Sequence, residues 1–415
     1  MASLKYWLWL TTRKDLSNIG VFGLLDHFGT PEAAHFADPA EYDLVPGLTA
    51  AGKASLLDKS LDGAERILEA CDRLGHRILT VGDAGYPERL RNIYDPPAVL
   101  YLQGKDIAFD DQVVVGLIGT REPTAYGIAQ AQRLGHDLAA QGAVVASGLA
   151  RGLDSEGLRG ALRGGGTVCG VLGCGLDVIY PKENKYLYQD VASAGLLVSE
   201  YPPGTEVRRS HFPARNRIIS GLSLGVVIVE GGFTSGTQIT ARAALEQNRD
   251  VFAVPGPVDA PMSYTPNDLI HRGEAMLVTS ASDILQEYQG IYPHKIKLRP
   301  GLAPDTPAIA PGVRPRVEEA ASDAPARTDR EEKGVDKEGE IPYIHWKKLT
   351  PALTDDQRDV MLALRERSLV LDEVIEATQI PARRCTSAVV MLQLAGFISE
   401  EPGKRFAATV RVYAD

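Results

Sequence analysis

From residue 113 onward, short apolar runs recur along the chain: VVVGLIG (113–119), AVVASG (143–148), TVCGVLG (167–173), LLVSE (196–200), GVVIVEGG (225–232), VFAVPG (251–256) and AMLVTS (275–280). Each is rich in β-branched residues and is followed by a stretch with helical spacing. Continuous apolar strands alternating with helices predict a mostly parallel sheet covered on both faces. The fold class is therefore α/β, a Rossmann-like, doubly wound domain with its sheet core from about 106. The domain is taken as 76–290, because ILTVGDAGYPERLRNIYDPPAVLYLQG (78–104) reads as a bridge of short strands punctuated by Pro87, Pro96 and Pro97.

The flanks follow other patterns. Residues 1–75 carry helical spacing and turn signals, with Trp7, Leu8, Leu10, Phe22, Leu25 and Phe28 as the expected core of a small helical N-terminal domain. Within it, YDLVPGLTAAGKASLLD (42–58) has the look of a helix-hairpin-helix or SAM-like unit. Such a turn either holds a phosphate or simply packs two helices. Residues 291–349 are rich in Pro, Ala and charge and poor in aromatics, the composition of a disordered linker. Over 350–415 three helical stretches precede a hairpin, a C-terminal winged-helix domain. Thr354 caps its first helix and Pro381 opens its last, where Arg383 and Arg384 sit at the recognition position. Residues 354–415 nonetheless hold 8 Lys+Arg against 10 Asp+Glu, a balance that favours a protein contact or a structural role at least as much as DNA.

Composition narrows the picture. The chain of 415 residues carries 44 Lys+Arg against 54 Asp+Glu, so its surface as a whole is acidic and any anion site must be a local cleft. Cys71, Cys169, Cys174 and Cys385 form no C-x-x-C pair and read as buried small residues, not as a metal or disulfide framework. No signal-peptide pattern opens the chain and no apolar stretch approaches the ~18–20 residues of a membrane span, so a cytoplasmic protein is expected.

In an open parallel sheet the ligand site lies beyond the carboxyl ends of the strands. The loops there hold Gly119, Thr120 and Arg121, then Arg151, then Lys182, then Arg208, Arg209, Phe212, Arg215, Asn216 and Arg217, and finally Ser235, Gly236 and Thr237 at a helix start. Glycine-rich turns at a helix N-terminus favour an anion. Arginines spread over several loops suit a polymer of phosphates, and the Phe212 ring offers a face on which a base stacks without sequence preference. Pro213 is expected to start the helix that follows, with Ile218, Ile219 and Leu222 toward the sheet and Arg215 and Asn216 at the crevice. The bland alternative is an internal ion-pair cluster with Phe212 in the core.

No G-x-x-x-x-G-K-[ST] loop and no complete G-x-G-x-x-G fingerprint is present, and no nucleophile–base set can be assembled; no catalytic residue, cofactor or metal is expected. Asp154, Asp177 and Glu230 lie at strand ends, where each can serve as a turn cap or arginine partner.

The string GTR (119), SGLARGLD (147), LGCGLDVIYPKEN (172), FPARNRIISGLS (212), VVIVEGGFTSGTQITARAALEQ (226), VFAVPG (251) and NDLIHRGEAMLV (267) resembles the DNA-processing protein A family (DprA, also called Smf). The resemblance implies a non-enzymatic protein of natural transformation. Such a protein binds incoming single-stranded DNA, forms a homodimer through the Rossmann-like domain, loads the RecA recombinase and opposes single-strand-binding protein. It also implies a DNA pocket built on Arg121, Arg209, Phe212, Arg215, Asn216, Arg217 and the Ser235-Gly236-Thr237 loop. The dimer surface is expected near Ile270, Met276 and Leu277.

Two positions depart from the family pattern. Gly157-Leu158 stands where an Ala-His pair is usual. Thr265 replaces a glycine, and because Thr resists positive φ the backbone of that loop is expected to differ. A rival reading is a nucleotide 5'-monophosphate phosphoribohydrolase, with Glu230–Thr237 as its glycine-rich loop; the glutamate such an enzyme needs is replaced by Thr240. A third is a transcription regulator reading duplex DNA through 354–415.

Overall fold

All seven apolar runs form strands. The structure is a computed structural model that describes residues 3–233, 235–298, 343–345, 354–365, 367–394, 397–401, 405–408 and 411–413. It divides into two compact units, residues 1–313 and 314–415.

The first unit opens with helices α1 (Leu4–Thr11), α2 (Asn18–Phe28), α3 (Pro31–Phe36), α4 (Ala50–Leu56) and α5 (Asp62–Leu74). Leu8 and Leu10 are fully buried, while Trp7, Phe22, Leu25 and Phe28 are partly buried around them. The side chain at the centre is Trp9, which is fully buried and donates its indole N–H to the Asp58 carbonyl (2.8 Å). These helices do not form a body of their own. Their buried side chains run on into the sheet's core, through Tyr101, Val113 and Val115, so the segment expected as a separate domain shares one core with the sheet. The expected hairpin turns at Pro46-Gly47, where Gly47 adopts a φ of 80° that glycine tolerates without strain. Across it Lys53 pairs with Asp43 (2.8 Å).

The sheet follows: β1 (Arg77–Thr80), the short α6 (Glu88–Arg91), β2 (Val99–Gly104), β3 (Val114–Ile118), α7 (Ala125–Ala140), β4 (Val144–Ser147), α8 (Leu153–Arg163), β5 (Val168–Leu172), α9 (Lys185–Ala194), β6 (Leu196–Ser199), α10 (His211–Leu222), β7 (Gly225–Ile228), α11 (Gly236–Glu246), β8 (Asp250–Ala253), α12 (Tyr264–His271), β9 (Met276–Leu277) and α13 (Ala281–Gln289). Its order is β1-β2-β6-β5-β4-β3-β7-β8-β9. From β6 to β9 every neighbour is parallel; β1 and β2 add to the β6 edge antiparallel. Val114, Val115, Leu117, Val145, Val168, Val226 and Val227 are fully enclosed, as expected of strands covered by helices on both faces. Helices α7 and α8 pack backbone to backbone, because a side chain at Gly135 or Gly160 would run into the facing main chain. Leu158, the residue in place of a histidine, is fully buried in that core.

The chain stays structured beyond 290. Ile296 is buried, and the Lys297 N–H donates to the Gln141 carbonyl (2.9 Å), so the expected linker start at 291 falls inside ordered structure. Residues 299–342 of that linker lie outside the described residues.

In the second unit helices Asp355–Ala363, Leu371–Thr378 and Ala382–Leu394 enclose Val360, Val374, Cys385 and Leu392. Strands Leu369–Val370, Ile398–Glu401 and Arg405–Ala408 form the antiparallel wing. Thr354 caps the first helix in a capping box with Gln357. Tyr343–His345, expected within the linker, is a strand paired in parallel with Arg411–Tyr413. Arg384, expected at a recognition surface, is held by Asp356 through two hydrogen bonds (2.6 and 2.8 Å). The Arg383 side chain lies outside the described residues.

Candidate nucleic-acid interface

The strand order reverses between β3 and β7. From β3 the chain crosses through α7 to β4 on one side; from β7 it crosses through α11 to β8 on the other. The two loops therefore part and leave a crevice above the sheet's carboxyl edge.

Each wall of the crevice is fixed by local chemistry. The Thr120 N–H donates to the Glu230 carbonyl (2.9 Å) and the Thr120 carbonyl accepts from the Leu153 N–H (3.1 Å), so the Gly119-Thr120-Arg121 turn is clamped between β7 and α8. Glu230 is buried, and its carboxylate accepts from the Thr124 N–H (3.0 Å) and hydroxyl, anchoring the start of α7. The loop after β4 turns back through Leu149 (φ 54°) and Gly152 (φ 78°). A bulky residue in the left-handed region carries a cost of about 1–2 kcal/mol. Asn184 offsets it by donating to the Leu149 carbonyl (2.9 Å). Gly152 is required by contact as well, since a Cβ there would collide with the Thr120 carbonyl and the Arg121 backbone. At the other wall Ser235 caps α11 by accepting from the Thr237 N–H (3.3 Å).

These walls enclose a cavity of about 620 Å³. Gly119, Thr120, Arg121, Arg209, Phe212, Arg215, Asn216, Ser235, Gly236 and Thr237 all line it. A second hollow of about 310 Å³ adjoins it and shares Arg121, Phe212, Arg215 and Tyr180; Arg151 lies there. Phe212 is half-buried, with the Arg121 guanidinium 5.0 Å from its ring centre and the Tyr180 ring 5.7 Å away at 39°. Tyr180 was not singled out from the sequence, although an aromatic in a strand-end loop beside Pro181 and Lys182 is the pattern of a stacking surface.

The arginines of the two hollows divide into three kinds. Arg151 is exposed but held in an ion pair by Glu183. Arg121 and Arg209 are exposed and enter no ion pair among the described residues. Arg215 is buried: it forms the floor, donating to the Gly148 and Val171 carbonyls and to the Asn216 side chain (3.1 Å). Burial pulls its guanidinium below the usual value, with the Asp154 charge opposing. Burial pushes the Asp154 carboxyl above its usual range, against the Arg215 charge and the N–H groups of Gly119 and Gly148 (3.4 and 3.2 Å). A guanidinium stays protonated under any condition a protein survives, so the floor remains cationic. Asn216 ties α10 to α11 through Thr240 (2.8 Å).

Three expected residues are elsewhere. Arg217, expected at the crevice, turns away and is bound by Asp95 (2.9 Å) and Glu200 (2.7 Å). Burial works against its charge, but the two carboxylates outweigh it and raise its pKa further. Lys182 and Arg208 are exposed and line neither hollow. Helix α10 begins at His211, two residues before Pro213, and buries Ile218, Ile219 and Leu222 as expected. Thr265 does not disturb its loop. It sits inside α12 without a positive φ, and its N–H and hydroxyl donate to the Gly231 and Gly232 carbonyls (2.8 and 2.9 Å).

The family model for DNA recombination-mediator protein A matches residues 77–289, and that for the DprA winged helix domain matches 347–404. The chain belongs to the DNA recombination-mediator protein A family. Protein Smf of Synechocystis is 32% identical over 410 residues, covering 97% of this chain and 98% of the relative. DNA processing protein DprA of Bacillus subtilis is 42% identical over 222 residues, 54% of this chain and 74% of the relative. The solved structure of DprA from Streptococcus pneumoniae superposes with a TM-score of 0.60 at 30% identity, covering 71% of this chain and 99% of that one. The family's mixed α/β architecture and winged helix are both present here. Among the described residues no helix is long and apolar enough to cross a membrane, and no His/Cys/Asp/Glu cluster could hold a metal ion. All four cysteines are buried thiols; burial pushes Cys71 and Cys174 up to about 11 and Cys169 to about 12.

Proposed function

We propose that this chain binds single-stranded DNA in the crevice and acts as a recombination mediator of natural transformation in the cytoplasm, protecting incoming strands and loading RecA onto them against single-strand-binding protein. One observation carries the reading: Arg121 and Arg209, which enter no ion pair among the described residues, share a cavity with an accessible Phe212 ring and the capped start of α11. Guanidiniums and helix N–H groups hold phosphates without reading sequence, and an aromatic face holds any base. Family membership supports the wider role, and the exposed Met276 and Leu277 support a homodimer. The reading needs no catalytic group. The phosphoribohydrolase alternative lacks its acid: Thr240 is buried and bonded to Asn216, and Glu230 is committed to Thr124.

The test is fluorescence anisotropy of labelled oligo-dT with wild-type protein and Phe212→Ala at two salt concentrations. Tight, salt-sensitive binding that falls in the variant supports the clamp. Absence of binding at low salt, together with adenine release from AMP, would replace it with the enzyme.

A further inference from the structure

Just before α11, whose start lines the cavity, Phe233 meets Tyr264 in a pair of aromatic rings that the clamp described above does not use. Phe233 is 68% exposed and Tyr264 39% exposed, and their centres lie 4.9 Å apart at 70°. A large apolar ring left in water is unremarkable when it is isolated on a mobile surface; this pair is neither. The Phe233 carbonyl accepts from Gln238 (3.0 Å), which fixes the turn to the first coil of α11. Gly231 donates to the Met262 carbonyl (2.8 Å) and accepts from the Thr265 N–H (2.8 Å), while the Thr265 hydroxyl holds the Gly232 carbonyl (2.9 Å). Two loops from different strand ends are thus laced together directly beneath the rings. Thr265, the departure from the family pattern, supplies two of these bonds.

The position of the pair selects its occupant. Ser235, Gly236 and Ile239 line the cavity and follow Phe233 by two to six residues, which keeps the Phe233 main chain within about 8 Å of Ser235 on the α11 side. The surface expected to meet a second copy, Ile270, lies at the far end of α12 from Tyr264, about 9 Å along the axis. We propose that Phe233, backed edge-on by Tyr264, is a second stacking platform that takes a base of the same single strand after it exits the cavity. This inference rests on the single-strand reading of the crevice. The two rings then act in series: Phe212 holds a base inside and Phe233 holds one outside, with the start of α11 gripping the phosphates between.

The experiment titrates full-length wild-type, Phe233→Ala and Phe233→Trp proteins with labelled oligo-dT of about 6 and about 20 nucleotides, lengths chosen to lie within and beyond one such site. Phe233→Ala should weaken the longer strand by roughly 5- to 100-fold and leave the shorter one unchanged, because one stacked base is lost. Its salt slope should equal that of wild type, since no phosphate contact is removed. Phe233→Trp should restore affinity. Bromouracil placed along the longer strand should photo-cross-link to Phe233 or Tyr264. Equal affinity of wild type and Phe233→Ala for both lengths would overturn the platform. So would loss of affinity accompanied by a shift to monomer in light scattering, which would mark the pair as a contact between copies. Failure of the wild type to bind either oligonucleotide would instead remove the single-strand reading itself.

Discussion

The guanidinium of Arg121 lies 5.0 Å from the centre of the Phe212 ring. At a solvent-exposed site such a contact is worth about 0.5–1 kcal/mol, less than the ~1–3 kcal/mol of a stacked base. An incoming base can therefore take the ring face while Arg121 swings to the adjoining phosphate. Arg121→Ala should weaken oligo-dT binding and reduce the salt slope by roughly 0.7, the value for one phosphate of a single strand. Phe212→Leu should weaken binding at an unchanged slope. Anisotropy titrations over a salt series separate the two. An Arg121→Ala slope equal to that of wild type would place that arginine off the phosphate path.

Arg217 lies in the same motif yet should behave differently. Its side chain is 13% exposed and binds Asp95 and Glu200, and Glu200 in turn accepts from Asn18 of α2 (3.1 Å). The group thus joins α10 to the N-terminal helices. Removing one partner of a buried ion pair costs about 3–5 kcal/mol. Arg217→Ala should lower the urea midpoint sharply while leaving the salt slope of DNA binding intact. Asp95→Asn, at the more exposed partner, should cost less. Chemical denaturation followed by Trp fluorescence reads both, and an unchanged midpoint in Arg217→Ala would show that the network contributes nothing to stability.

The contrast between Arg121 and Arg217 marks what the sequence could and could not convey. The seven strands were legible because a buried parallel strand must be apolar along its whole length, as VVVGLIG and VFAVPG are. The crevice was legible because connectivity alone dictates where strand-end loops converge. An arginine's partner is not encoded locally: Asp95 is 122 positions from Arg217, and only the fold brings them together. For the same reason Arg215, expected at the crevice, turns out to be its buried floor. Trp9, absent from the expected core, is its fully buried centre, because the partner of its indole N–H, Asp58, is supplied by the fold from 49 positions away. The segment 291–298 reads as linker because what anchors it, the Lys297 N–H donating to the Gln141 carbonyl, joins positions far apart in sequence.

Acid should destabilise the first unit through His76. The ring is buried, its Nδ1 has no hydrogen-bond partner among the described residues, and burial holds its pKa below the usual value, against the charge of Asp177. The unfolded chain then binds the proton more tightly, so stability is fully present above about pH 6.5 and declines as pH falls toward the folded value. Urea midpoints at pH 7.5, 6.5 and 5.5 should fall in that order, and His76→Leu should flatten the fall. Parallel declines in the two proteins would assign the acid sensitivity to other groups.

Strand β9 ends the sheet with an open edge. Among the described residues Met276 and Leu277 pair with β8 on one side only; they are 46% and 48% exposed, while Ile270 on α12 is partly buried. An unpaired apolar edge is a template for association unless charge blocks it, and the two-residue strand carries none. A twofold interface over this edge would cover both side chains. Leu277→Glu should therefore convert a dimer to a monomer in light scattering, with Ile270→Glu weaker because that side chain is already partly covered. Monomers should keep the salt slope of oligo-dT binding, since neither residue lines the cavity. A Leu277→Glu protein of unchanged mass would exclude the β9 edge as the contact between copies.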